Sequence, residues 1–170
     1  MTSFLTWFEA NQELAALFIF LFGFAESIVL VAVLVPSSLL FAGVGASYAA
    51  AGGSLELLWL AGSLGAVTGD TVSFALGHVL REDAAKVWPL RRYPKLLERG
   101  RSAFKRWGWF ALIVGKFSFG LRPFVPIAAG ILSMRSSHFL AASTLSSLLW
   151  AGVSLGFGYA AAKFLITHIG

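Results

Sequence analysis

Residues 109–134 read WFALIVGKFSFGLRPFVPIAAGILSM, an apolar block that holds two cations, Lys116 and Arg122, near its centre. A charge at the centre of a bilayer costs roughly 2.5–3.5 kcal/mol on insertion scales, so such residues usually face a protein interior or a water-filled cavity. Broken backbone at membrane depth is tolerated only in the same surroundings. The block therefore predicts a re-entrant hairpin, and an ordinary tilted span kinked at its prolines is the alternative. The residues expected to break the chain here are Gly120, Pro123, Pro126 and Gly130.

The composition places this block in an integral membrane protein. Of the 170 residues, 58% are hydrophobic and only 12% are charged. A soluble protein of this size could not cover its surface with so few polar groups, so lipid is the solvent for most of the chain. The absence of cysteine excludes disulfides and thiolate metal sites. We expect a single polytopic, all-α membrane domain over residues 1–170, without a metal, a cofactor or an enzymatic activity.

Three further apolar blocks complete the pattern. Residues 14–51 are too long for one helix, and Pro36 near their middle removes a backbone donor, so they predict a first re-entrant hairpin. Residues 55–80 and 138–169 each predict a simple span. A hairpin returns to its own side whereas a span crosses, so the second hairpin and span are inverted relative to the first. Inverted repeats with broken segments in matching positions are typical of secondary transporters whose site lies near the midplane.

Two segments are predicted to lie at the membrane surface. No Lys or Arg precedes Arg81, and nine of the thirteen fall between Arg81 and Arg106, so the positive-inside rule places the loop 81–108 in the cytoplasm. A nucleic-acid binder would spread such charge over a soluble surface, so nucleic acid is not an expected partner. The loop is either an amphipathic helix that binds anionic lipid or a solvated connector. Residues 1–13 predict a short interfacial helix, and a frayed tail is the alternative.

Small residues recur at helical spacing in both spans. Gly65, Gly69 and Gly77 lie on one face of the first span, and the last span has the same four-residue spacing at Gly152 and Gly156. Small residues four positions apart let another helix approach closely. We expect the hairpins to pack there, and a homodimer interface is the second interpretation.

Two acidic residues accompany the two cations at membrane depth, Glu26 in the first hairpin and Asp70 in the first span. If the chain breaks between Lys116 and Arg122, both cations can face one cavity and bind an anion such as phosphate, since Arg forks onto phosphate oxygens and Lys adds a point charge. A carboxyl group between an apolar pocket and a nearby cation can pick up and release protons, so Glu26 and Asp70 are candidate proton carriers or charge-balancing groups. The alternative is a set of static ion pairs that hold the hairpins together.

Three stretches combine these features: an acid with a proline turn, a Gly-Asp motif, and a phenylalanine-arginine-proline-glycine signature. They are Glu26 with Val35-Pro36-Ser37-Ser38, Gly65-x-x-x-Gly69-Asp70-x-x-x-Phe74-x-x-Gly77, and Lys116-Phe117-x-x-x-x-Arg122-x-x-x-Pro126-x-x-x-Gly130. Together they extend over most of the chain and resemble the DedA family, also called the VTT or SNARE-associated family of membrane proteins. The resemblance implies transport or flipping of phospholipids and, in bacteria, proton-linked recycling of the polyprenyl-phosphate carrier lipid across the cytoplasmic membrane.

The chain departs from that family pattern at four positions. Ser38 stands where members often have a second acid, and Lys116 stands where arginine is usual. Phe119 replaces an expected proline, and Pro123 is added. The missing acid puts in doubt any proton scheme that needs a pair of carboxylates, and Lys116 keeps the charge without the bidentate fork.

These features predict a membrane transporter or flippase of lipid phosphates. Lys116 and Arg122 bind the phosphate headgroup, and Glu26 and Asp70 exchange protons or balance charge. Polyprenyl phosphate or a phospholipid is the expected substrate, and the bacterial cytoplasmic membrane is the expected location. Two alternatives stay open: a secondary transporter of small ions or solutes, and a scaffold whose charges only lock the hairpins.

Overall fold

The computed structural model describes residues 12–28, 37–51, 54–86, 90–118 and 122–169, and within these ranges the chain has seven α-helices and no β-strand. The helices are α1 (Gln12–Ser27), α2 (Ser37–Ala51), α3 (Glu56–Leu80), α4 (Pro94–Trp107), α5 (Phe110–Phe117), α6 (Phe124–Ile131) and α7 (Ser136–Ile169). Two 3-10 helices, Arg81–Lys86 and Leu90–Arg92, connect α3 to α4. Residues 1–11 of the predicted interfacial helix, Pro36 and Gly120 lie outside the described residues.

The shorter helices pack against the two long helices, α3 and α7. In the described part of the chain, α7 is the one helix that is long and apolar enough to cross a membrane, over Ser136–His168. Helix α1 packs along α3 and α2 along α7, whereas α5 packs on α7 and α6 on α3. Each pair of short helices therefore bridges the two long ones. The inverted repeat and the re-entrant path of the hairpins stay predictions.

The distribution of polarity is the reverse of that in a soluble protein. Large apolar side chains cover the outward faces of the helices; Val79 is 80% exposed and Phe157 is 73% exposed. The ionisable residues of the predicted site are instead buried: Glu26, Asp70, Lys116 and Arg122. Lipid solvates apolar side chains and penalises charges, so this arrangement suits a bilayer.

The helix is interrupted inside the block 109–134, but not all of the residues predicted to interrupt it lie at the interruption. Helix α5 ends at Phe117, the next residue is extended, and Pro123 lies immediately before α6. Two residues that we predicted as breaking, Pro126 and Gly130, lie inside α6 instead. Pro126 occupies the first turn, where a backbone N–H has no intrahelical partner and its loss costs little. Gly130 serves packing, since a Cβ atom there would overlap the backbone of α3.

The glycine stripe of α3 is used within the molecule. A Cβ atom at Gly65 or Gly69 would overlap the backbone of α1, and one at Gly77 would overlap the backbone of Ile127 in α6. Helices α1 and α6 thus occupy the stripe, because the missing side chains let backbones touch.

In α7 the two glycines of the predicted packing face have different surroundings, and the neighbour of Gly152 lies in α3 and not in a hairpin helix. A Cβ atom at Gly152 would lie 3.3 Å from the indole nitrogen of Trp59, but one at Gly156 would meet no heavy atom of the described structure within 4 Å. The glycine that meets α2 is Gly158, whose Cβ would overlap the backbone of Ala42. Leu155 and Gly158 share the face toward α2, and Gly156 is rotated away from Leu155 by about 100°.

Candidate functional site

The first part of the site is an ion pair between α3 and α5. Lys116, in the last turn of α5, places its Nζ 2.7 Å from Oδ2 of Asp70, which lies in the second half of α3. The two side chains are only 3% and 1% exposed. Ions this deeply buried lose their hydration, and they persist only where their remaining donors and acceptors find partners.

Serines of α7 supply partners for Lys116 and for Oδ2 of Asp70, whereas Oδ1 of Asp70 has no hydrogen-bond partner among the described residues. Ser143 donates a 2.7 Å hydrogen bond to the same Asp70 Oδ2, and the Lys116 ammonium donates to Ser147 Oγ. Ser147 in turn donates to the Ser143 carbonyl at 2.7 Å. Sequence reasoning missed both serines, although their four-residue spacing in an apolar helix places them on one face. They join α3, α5 and α7 at a single point.

The second part of the site is an ion pair between α1 and the start of α6. Arg122 precedes α6 by one residue and donates through Nη1 to Oε1 of Glu26, which lies near the end of α1. Both residues are buried. Glu26 also interacts electrostatically with Lys116 and Asp70, so the two pairs form one charge cluster. The sequence predicted the four members of this cluster and left their pairing open.

A tryptophan supports the guanidinium of Arg122. The Cζ atom of Arg122 lies 3.6 Å from the ring centroid of Trp150 in α7, within the range of a cation–π interaction. Trp150 is buried and its ring also packs against Phe41 of α2, with centroids 4.6 Å apart. By default, a tryptophan in a membrane span is interpreted as a lipid-facing or belt residue, so no sequence signal distinguishes Trp150 from the other tryptophans.

Arg122 keeps unused hydrogen-bonding capacity. Its Nε and Nη2 atoms are buried and have no hydrogen-bond partner among the described residues. A buried donor without a partner costs roughly 1–3 kcal/mol, and more when it is charged. The two atoms are adjacent in the guanidinium plane, which is the geometry that binds two oxygens of one phosphate or carboxylate. The unused donors of Arg122 are therefore separate from the contacts of the Lys116–Asp70 pair.

The cluster is balanced in charge when all four groups are ionised. An anion that binds Arg122 adds negative charge beside Glu26, and like charges that share a site disfavour each other. In the part of the chain that the structure describes, no three His, Asp or Glu side chains come together as a metal site would need.

These features define a helical membrane protein with an intramembrane cluster of ion pairs. Residues 35–160 match the VTT domain, and the chain therefore belongs to the VTT-domain family, which is the DedA family that its motifs resemble. No solved structure matches the chain.

Curated relatives agree with this family and with its location. The chain is 33% identical to the inner membrane protein YabI of Escherichia coli over 130 residues, which cover 76% of this chain and 51% of YabI. It is 27% identical to an uncharacterized membrane protein of Buchnera aphidicola over 154 residues, covering 90% of this chain and 60% of that protein. It is 32% identical to the inner membrane protein YghB of Escherichia coli over 108 residues, covering 63% and 48%. The chain thus spans roughly half of each relative, and it is a protein of the bacterial inner membrane.

Proposed function

We propose that this protein transports or flips lipid phosphates across the inner membrane. Polyprenyl phosphate and phospholipids are the substrate class, and transport is coupled to protons. The observation that carries the proposal is the pair of buried, unused donors on Arg122, Nε and Nη2. A phosphate monoester offers the oxygen geometry that this side of a guanidinium binds.

The two cations then have unequal shares in binding. Arg122 binds the phosphate directly, in exchange for or beside Glu26. Lys116 already meets both Asp70 and Ser147, so it contributes a positive potential and needs no new contact. This division keeps Arg122 in its predicted role and changes that of Lys116 from a direct ligand of the phosphate to a source of positive potential.

The proton enters through charge balance. A phosphate that arrives at a balanced cluster creates an excess of negative charge in a medium of low dielectric constant, where such an excess is costly. Protonation of Glu26 removes that excess and frees Arg122 Nη1 for the phosphate. One proton bound with each phosphate, and released with it on the other side, couples the two fluxes. Asp70 stays paired with Lys116 in this scheme and balances its charge.

The test is a flipping measurement in proteoliposomes with labelled polyprenyl phosphate, with and without a pH gradient. We compare the wild type with Arg122→Ala and with the matched control Arg135→Ala, which removes an exposed arginine. Arg122→Ala should lower flipping by about 100-fold or more, because it removes charge-assisted hydrogen bonds that contribute about 1.5–3 kcal/mol each. Arg135→Ala should flip at the wild-type rate, and the gradient should accelerate both the wild type and this control.

Other outcomes separate the alternatives. Flipping that needs Arg122 but ignores the gradient would remove the proton from the proposal and leave a facilitator. Flux of inorganic phosphate that lipid phosphate does not compete with would favour a small-solute transporter. Equal, background-level flipping by the wild type and Arg122→Ala would favour a scaffold, for which the contacts of Lys116 with both Asp70 and Ser147 are the supporting observation.

A further inference from the structure

Helix α4 divides the basic loop into an inward apolar side and an outward charged side. Its residues Leu97 and Gly100 are buried, and Leu97 packs with Phe124 and Ile127 of α6. A Cβ atom at Gly100 would lie 3.1 Å from the Phe124 carbonyl oxygen, so the two helices are in close contact. The apolar side of α4 is therefore already covered by protein, and its other side faces away from the bundle.

Three cations line up on that outward side. Lys95, Arg99 and Arg106 are exposed and are spaced by four and seven residues, which places them within about 40° of one another around the helix. We call these three residues the basic stripe. Among the described residues no carboxylate forms a salt bridge with it, including Glu98, the one acid of α4. The stripe thus presents positive charge that the described protein does not neutralise.

The stripe ends where the surface becomes apolar. The guanidinium of Arg106 lies 5.7 Å from the ring centroid of Trp107, and the next exposed aromatic residues, Trp109 and Phe110, are stacked with centroids 3.9 Å apart. Beyond them the outward residues of α5 are apolar and exposed. Tryptophan is enriched at the boundary between headgroups and hydrocarbon, so this end of α4 lies at headgroup level.

We propose that the basic stripe, with Trp107 and Trp109, is a binding site for the headgroups of anionic phospholipids in the adjacent leaflet. Charge complementarity selects the ligand, since the stripe offers unneutralised cations at the depth of the phosphates. The indole rings contact the first part of the acyl chains, as amphipathic rings do at this depth. The site is separate from Arg122 and does not depend on the proposed transport.

The experiment measures lipid binding by the purified full chain in a neutral detergent, with native mass spectrometry as the readout. Phosphatidylglycerol and phosphatidylcholine with identical acyl chains are titrated separately. The stripe variant is Arg99→Gln/Arg106→Gln, and the matched control is Arg135→Gln/Lys163→Gln, which removes two exposed cations from α7 and the residue before it. All four positions are exposed, and thermal unfolding checks that both variants fold like the wild type.

The wild type should prefer phosphatidylglycerol, and the stripe variant should lose roughly 25-fold of that preference, since each cation near an anionic headgroup contributes a factor of about five. The control should keep the preference within about twofold, and raised salt should weaken it in the wild type. Three results would overturn the site: no preference in the wild type, an unchanged preference in the stripe variant, or an equal loss in the control. The first would assign the stripe to a soluble partner, the second would place the lipid elsewhere, and the third would reduce the effect to net charge.

Discussion

The two buried ion pairs of this protein have the same charges but different surroundings. The Lys116 ammonium contacts the carboxylate of Asp70 and the hydroxyl of Ser147, and Ser143 donates a hydrogen bond to the same carboxylate. The Arg122 guanidinium meets Glu26 through Nη1 and the face of Trp150, and its Nε and Nη2 are left over. The first pair holds three helices together, whereas the second has donors to spare.

Burial of a charge therefore does not by itself identify a binding residue. A buried pair gains little stability over an apolar replacement, but removal of one partner leaves the other charge uncompensated. Loss of one partner should destabilise either pair, but a change that keeps the charge and alters the donor geometry should affect transport at the second pair only. Four predictions test this separation, and each addresses one contact.

The largest effect is expected from splitting the first pair. Asp70→Leu leaves the Lys116 ammonium buried without its carboxylate and should destabilise the protein by about 3–5 kcal/mol. The double variant Asp70→Leu/Lys116→Met should recover most of that loss. Thermal unfolding in detergent measures both variants, and a double variant as unstable as the single one would contradict the interpretation of this pair as a structural contact.

Arg122→Lys comes next and separates charge from geometry. Lysine keeps the positive charge for Glu26 but loses the planar fork, so flipping should fall by about 10- to 100-fold. The unfolding temperature should change much less than in Asp70→Leu. Wild-type flipping by this variant would show that Arg122 acts only as a point charge and would remove the bidentate phosphate from the proposal.

The aromatic support of Arg122 should give a smaller effect. Trp150→Leu keeps an apolar side chain but removes the cation–π contact, which contributes about 1–2 kcal/mol in a desolvated site. We expect roughly a tenfold higher KM for the lipid phosphate with little change in kcat. Trp150→Phe, the conservative control, should restore most of the affinity. A loss that phenylalanine does not rescue would point to packing against Phe41 instead.

Ser147→Ala should have the smallest effect. It removes one hydrogen bond from Lys116 and should cost about 1–2 kcal/mol of unfolding free energy, with flipping close to normal. The matched control is Ser118→Ala, whose hydroxyl only donates to the Val114 carbonyl within its own segment. Flipping that falls more in Ser147→Ala than in Trp150→Leu would reverse the ranking of the two pairs.

Sequence reasoning identified the charges of the site because each charge is expensive in a bilayer and stands out from apolar neighbours. Glu26, Asp70, Lys116 and Arg122 were selected this way, and the structure buries all four together. Their pairing could not be predicted, since it depends on how three segments far apart in the chain approach one another.

Sequence reasoning missed the serines and the tryptophan of the site, because such residues also occur in membrane helices that bind nothing. A serine such as Ser147 usually hydrogen-bonds its own helix, and it does so here as well as accepting from Lys116. The pattern of small residues in α7 indicates a helix face only approximately, and the glycine whose Cβ would overlap α2 is Gly158, which the four-residue spacing does not select.

The glycine contacts also restrict where a lipid tail can lie. At Gly65, Gly69 and Gly77 the backbones of α1 and α6 lie directly on α3, and at Gly158 the backbone of α2 lies on α7. Where the backbones of two helices are in direct contact, the interface between them has no room for an acyl chain. The seam between α5 and α7 is filled by side chains, with Lys116 and Ser147 at its centre. Side chains can change rotamer, whereas the backbones of packed helices cannot separate as easily. If the phosphate of a lipid reaches Arg122, its acyl tail is therefore expected to extend out of the helix bundle between α5 and α7.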